Sequence, residues 1–250
     1  MASAGIETAA QAIAPERLER HVRVLAEEIG ERNVFRSGTL DAAAAYIAEE
    51  WRAQGYEVGR QTYEARGASC VNLEVARQGS HRPGEILLVG AHYDSVRGSP
   101  GADDNASGVA ALLELSRAFA AESPARTVRF VAFVNEEPPF FLTGKQGSMV
   151  YARAARAGGD DIRLMVSLEM LGFYSDAPGS QRYPPLFRHF YPDRGNFLAW
   201  CRTSARVRHA AAGRGISHRL GFPTGTHDAV SLDSGRGVEP SARPPAAGAS

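Results

Sequence analysis

The stretch VNEEPPFF, residues 134–141, closes an apolar run with two adjacent glutamates, Glu136 and Glu137. Two other apolar runs end in side chains of the same kind. LLVGAHYDS carries His92 and Asp94, and VSLEM carries Glu169. Between the first two runs lies GADDNASG, with Asp103 and Asp104 just ahead of a helical pattern. One imidazole and several carboxylates make a donor set that suits a pair of zinc or similar divalent ions. Carboxylates gathered in poorly hydrated surroundings are costly unless compensated, and VAFV and PPFF flank the glutamate pair. Glu169 sits between Leu168 and Met170, where an unpaired charge is rare.

Each residue also has a purely structural reading. His92 alone is as consistent with a hydrogen-bonded structural histidine as with a ligand. Alternation along a strand puts His92 and Asp94 on one face, so Asp94 would orient the ring; a metal-bound histidine needs the same partner. Asp103 and Asp104 suit a turn and the N-cap of the following helix. Glu136 and Glu137 suit a solvated strand end. Taken together, carboxylates and a histidine at three strand ends favour a metal site.

The elements that must position these residues follow from periodicity. PERLERHVRVLAEEIGER spaces Leu18, Val22, Leu25 and Ile29 helically, with Pro15 in the first turn. TLDAAAAYIAEEWRAQGY predicts a second helix stopped near Gly55. YEVGRQTYEA, CVNLEVARQ and EILLVGAHYDS predict strands, VAALLELSRAFAA a helix, TVRFVAFVNEE a strand, QGSMVYARAARAG a helix and IRLMVSLEMLGF a strand. Apolar strands alternating with helices predict an α/β fold of three αβα layers, a mixed, mostly parallel sheet with helices on both faces. In such a sheet sites gather at the carboxyl ends of the strands, so the candidate residues should converge.

Composition sets the class. The 250 residues are 44% hydrophobic and 22% charged, as expected of a soluble globular protein. A formal net charge of zero points to no nucleic-acid partner. Cys70 and Cys201 form no disulfide framework and neither has a neighbour at metal-ligand spacing. The N-terminus lacks a signal-peptide pattern and no apolar run reaches the ~20 residues of a membrane span, so a cytoplasmic location is expected.

Residues 200–250 differ from the rest. Arginine, alanine, glycine, serine and proline dominate there and no apolar period survives, which predicts disorder. Two readings stay open: a natural flexible tail, or a slip of the reading frame near Ala199 in a GC-rich gene. The second is preferred because Lys145 is the only lysine. On either reading residues 1–199 form one domain, incomplete at its C-terminal end. RYPPLFRHFYPDRGN suits a loop at the mouth of the site or a cover on the outside of the sheet.

HYDS, PGADDNASGVAALLEL, RFVAFVNEEPPFF and SLEMLGFYSD together resemble the zinc-dependent aminopeptidases of family M28, over roughly residues 15–199. The resemblance implies the zinc-exopeptidase fold, two zinc ions and a peptide or amino-acyl substrate. It implies that His92 and Glu169 bind one metal, that Glu137 binds the other and that Asp104 bridges them. Many members have aspartate where this chain has Glu169. Glu136 would be the general base that activates water, and Asp94 would hold the ring of His92; Asp103 receives no ligand role. Adjacent glutamates on an extended chain point apart, so one can ligate while the other faces the water. The family's last histidine ligand comes from an S-D-H-like stretch, which this chain lacks. His209, His218 and His227 all lie in the aberrant segment, and Asp228 follows His227 in the reverse order. Two further readings remain: a single-zinc acyl chemistry of the glutaminyl cyclase type, and a truncated, non-catalytic module.

Overall fold

A computed structural model describes residues 13–183 and 192–198. The chain divides after Asn196, and the architecture below is that of the first unit. The predicted elements are present. Helix α1 spans Pro15–Arg23 and runs into a π-helical turn, Val24–Ile29. Helix α2 spans Thr39–Ala53, and Gly55, at φ 85°, takes the left-handed backbone that stops it. Strands β1 (Gly59–Ala65), β2 (Ala68–Arg77) and β3 (Arg82–His92) follow. Then come α3 (Gly108–Phe119), β4 (Arg126–Phe133), α4 (Gly147–Gly158) and β5 (Asp161–Ser167).

The sheet order is β1-β2-β4-β3-β5. β3 pairs in parallel with both β4 and β5, whereas β2 runs antiparallel to β1 and to β4. Only β2 is reversed, so the sheet is mixed with four of five strands in one sense. Helices cover both faces. On one, Leu25, Ile47, Trp51, Leu112 and Leu113 from the helices pack with Leu73, Val75 and Phe130 of the sheet, all essentially buried. Removing each such side chain from water contributes about 1.5–3 kcal/mol. On the other face Tyr151 of α4 meets Phe133 edge to face, with ring centroids 5.6 Å apart, beside Leu88 and Val131.

The structure corrects two expectations of detail. β4 ends at Phe133, before the glutamates, because Asn135 adopts a left-handed φ of 60° and turns the chain. β5 is an edge strand of the sheet among the described residues, and its Leu164 and Met165 are exposed. β3 stops at His92, so Asp94 lies in the loop beyond it rather than on the strand. Residues 200–250, with His209, His218 and His227, lie outside the described residues, as does most of RYPPLFRHFYPDRGN. No helix among the described residues is long and apolar enough to cross a membrane.

Candidate metal centre

Three parallel neighbours, β4, β3 and β5, bring their carboxyl ends to one edge of the sheet. The register aligns His92 with Phe133, and Gly90 with Ser167. His92 is the last residue of β3; Glu136 and Glu137 follow β4 by a few residues, and Glu169 follows β5 by two. Asp104 reaches the same edge from the loop ahead of α3. That loop needs its glycines: Gly101 has φ 59°, and a side chain at Gly108 would strike Asn105 Oδ1 and Leu168 O. All six candidate residues are therefore brought together, although they span 77 positions.

His92 is the hub and is buried. Its Nε2 lies 3.1 Å from Asp104 Oδ1, 3.1 Å from Glu169 Oε1 and 3.9 Å from Glu136 Oε2. Its Nδ1 lies 3.4 Å from Asp94 Oδ1 and 3.2 Å from the Asp94 carbonyl oxygen. Asp94 also accepts hydrogen bonds from the backbone N–H of Glu136 at 3.0 Å and of Glu137 at 3.1 Å. Two groups have ligand atoms close enough to share an ion: His92 with Asp104 and Glu169, and His92 with Glu136 and Glu137.

The donors fit a cation. Glu137 Oε1 is a buried oxygen without a hydrogen-bond partner among the described residues, a costly state for an acceptor, while Asp104 Oδ1 faces His92 Nε2 at 3.1 Å. Burial pushes the Glu136 carboxyl up to about 7, helped by the negative charges of Glu169, Asp94 and Asp104 and opposed by His92. Burial, then Asp104, pushes Glu137 up to about 8. Burial pulls His92 down, but its contacts with Asp104, Asp94 and Glu169 outweigh that and hold it well above the ordinary histidine range. A cluster so strained by like charge is what a divalent ion relieves.

The glutamate pair corrects one sequence argument. Glu136 and Glu137 are not on an extended strand but in the turn that Asn135 begins. The two differ in environment: Glu137 is buried and Glu136 is partly open.

Several residues around the cluster escaped the sequence reading. Asp103 is not a helix cap. Its Oδ1 accepts the N–H of Gly172 at 2.8 Å, which ties the loop after β5 to the loop before α3. Asn105, fully buried, donates to Leu168 O at 2.8 Å and accepts from Met170 N at 3.2 Å, bracketing Glu169 on both sides. Its Oδ1 also accepts from Gly108 N at 3.1 Å, which is the capping role expected of an aspartate. Asparagine two places from a serine inside DDNAS was the available signal, since Asx side chains favour such local bonds.

Comparison with known proteins agrees with this geometry. Residues 72–193 match the family described as Peptidase family M28. YfbL of Escherichia coli (strain K12), described as uncharacterized, is 41% identical over 194 residues, covering 74% of this chain and 58% of that protein. A probable zinc metalloprotease of Pyrenophora tritici-repentis (strain Pt-1C-BFP) is 37% identical over 103 residues, 38% of this chain and 23% of that one. The chain thus spans 58% and 23% of the length of these two relatives. Among solved structures, BSAP, a zinc aminopeptidase from Bacillus subtilis, superposes with a TM-score of 0.58 at 15% identity. That match covers 66% of this chain and 71% of BSAP, and it shows a shared fold.

Proposed function

Because the chain belongs to peptidase family M28, we propose that it is a zinc-dependent aminopeptidase releasing N-terminal residues from peptides. The observation that carries this reading is Glu137 Oε1, buried without a hydrogen-bond partner beside the imidazole of His92. His92, Asp104 and Glu169 would hold one zinc, and Glu137 with Asp104 the other. Bound zinc supplies Lewis acidity, polarising the scissile carbonyl and making water nucleophilic near neutral pH.

The chain's own residues supply orientation and the proton. Asp94 holds His92 through Nδ1, so that Nε2 faces Asp104 and Glu169. Glu136 also lies within reach of the ion-sharing group, but it is the more open of the two glutamates, and a base must meet water and substrate. Glu136 takes a proton from the attacking water and returns it to the departing amine as the C–N bond breaks. The acidic set attracts a free α-amino group on the substrate, which confines cleavage to the chain end.

Glutaminyl cyclisation on a single zinc is the second reading. It is favoured by one observation: both ion-sharing groups draw on the same imidazole, His92. The test uses aminoacyl 4-nitroanilides and their N-acetylated counterparts, with zinc content measured per chain. Hydrolysis of the free-amino substrates alone, lost on chelation and restored by zinc, supports the aminopeptidase. Equal cleavage of acetylated substrates overturns the exopeptidase assignment. One zinc per chain with cyclisation of N-terminal glutamine, and no hydrolysis, establishes the second reading instead. A folded, zinc-loaded chain that does neither is a non-catalytic module.

A further inference from the structure

We propose that Arg32 is a positioning residue of the metal-holding cluster, locking the strand end that carries His92 and Asp94 to the loop that carries Asp104. This inference rests on the cluster being the metal centre proposed above. Arg32 is fully buried, yet among the described residues it forms no ion pair with a carboxylate. Its guanidinium is spent on backbone carbonyls instead. Nε donates to Tyr93 O at 2.8 Å; Nη1 donates to Leu25 O at 2.7 Å, Gly30 O at 2.8 Å and Pro100 O at 2.6 Å; Nη2 donates to Gly101 O at 3.1 Å.

Those carbonyls come from three segments. Leu25 and Gly30 belong to the end of the first helical stretch. Tyr93 lies between His92 and Asp94. Pro100 and Gly101 lead into the Asp104 loop, and at Gly101 a side chain would run into Arg32 Nη2, Asp104 O and Ser95 Cβ. The backbone adds to the lock. Arg32 N–H donates to Ser95 Oγ at 3.0 Å, and Ser95 N–H donates to Arg32 O at 2.8 Å. Ser95 Oγ in turn donates to Ser99 O at 2.9 Å, and Ser99 Oγ accepts from Gly101 N at 3.1 Å.

Only arginine can do this. A guanidinium presents five N–H donors in a planar fork, whereas lysine has three on one nitrogen. A single ammonium cannot meet carbonyls of residues 25, 30, 93, 100 and 101 at once. Burying the charge is unfavourable. Burial draws the Arg32 pKa down to about 10, against the negative charges of Asp94 and Asp104. Arg32 is therefore a fixed positive charge behind an acidic cluster, and it sets the spacing at which His92 Nε2 meets Asp104 Oδ1.

The test compares wild type, Arg32→Lys and, as a control for general loosening, Leu112→Ala in the core of α3. Amide hydrogen exchange over residues 93–104 is measured without metal, and Co²⁺ binding is followed by visible absorption. Arg32→Lys is expected to keep a cooperative melt, to exchange faster over 93–104 by about tenfold or more, and to bind Co²⁺ about tenfold more weakly with displaced absorption bands. Leu112→Ala should leave the Co²⁺ bands where they are in wild type. Unchanged exchange over 93–104, or unchanged Co²⁺ bands and affinity, in Arg32→Lys overturns the proposal. Should that variant not fold, Ser95→Ala keeps Arg32 and removes the hydroxyl between its backbone and Ser99. The same changes, smaller in size, are then required, and their absence overturns the proposal equally. Wild-type protein that binds no Co²⁺ sinks the metal reading by itself, and the exchange over 93–104 still decides the role of Arg32.

Discussion

Asp94 grips the glutamate pair by its backbone while facing His92 with the same carboxylate: Oδ1 accepts from Glu136 N and also lies 3.4 Å from His92 Nδ1. One side chain thus couples the end of β3 to the turn after β4. Asp94→Asn keeps the shape but turns one acceptor into an NH2 group, which must face a backbone N–H donor or the ring. Zinc affinity is expected to fall about 10–100-fold, the range found when a partner of a metal-binding histidine is lost. Competition with a chromophoric chelator measures it. An affinity equal to wild type would show that Asp94 has no part in holding the ring.

Glu136 and Glu137 differ in burial, and the proposed chemistry divides along that line. Glu136→Gln retains the shape and the backbone bond to Asp94 but removes the base. Peptide hydrolysis is expected to drop about 10²–10⁴-fold while zinc per chain stays the same. Metal analysis and initial rates on one preparation check both halves. Loss of zinc together with activity would instead make Glu136 a ligand, in keeping with its place in the second ion-sharing group.

His92 belongs to both groups, so its removal should be felt more widely than that of any one carboxylate. His92→Ala is expected to weaken zinc binding by more than the ~10–100-fold typical of outer partners, and to erase the rise in melting temperature that excess zinc gives the wild type. Thermal melts with and without zinc make the comparison. An undiminished zinc-induced shift would exclude His92 as a ligand.

Much of this centre was legible beforehand, for a geometric reason. His92, Glu136, Glu137 and Glu169 each close an apolar run, and parallel strands place such ends side by side. The boundaries were less legible. β4 was expected to carry the glutamates, but Asn135 turns the chain two residues after the strand ends. Apolar content tells that β5 belongs to a sheet and not whether it lies at an edge. Arg32 was not legible at all. Its side-chain partners are backbone carbonyls as far as 69 positions away, which leave no residue-type signature. His21, three residues after Leu18 and four before Leu25 on the apolar face of α1, is fully buried, with Nδ1 2.6 Å from Tyr46 Oη and Nε2 3.4 Å from Glu114.

That buried corner is expected to contribute to acid sensitivity. Glu114 of α3 is almost wholly enclosed, and its Oε2 accepts from Arg17 Nε at 2.8 Å and Arg117 Nη2 at 2.6 Å. Burial alone pushes the carboxyl up, but the hydrogen bonds from Arg117 and Arg17 prevail and bring it from 4.5 down to about 2. The folded chain therefore holds Glu114 ionised where the unfolded chain would protonate it. The unfolded state binds more protons between the two values, so the stabilisation is complete above about pH 4.5 and is lost as pH falls towards 2. The linked free energy is about 3 kcal/mol. His21 acts in the same direction in a higher window: burial lowers its pKa, so protonation below about 6.5 favours the unfolded chain. Glu114→Gln keeps the volume and removes the titration. Denaturant unfolding at a series of pH values should show the variant less stable than wild type at pH 7, with the two curves converging as pH falls from about 4.5 to 2. Curves that stay parallel throughout that interval would place the acid sensitivity elsewhere in the molecule.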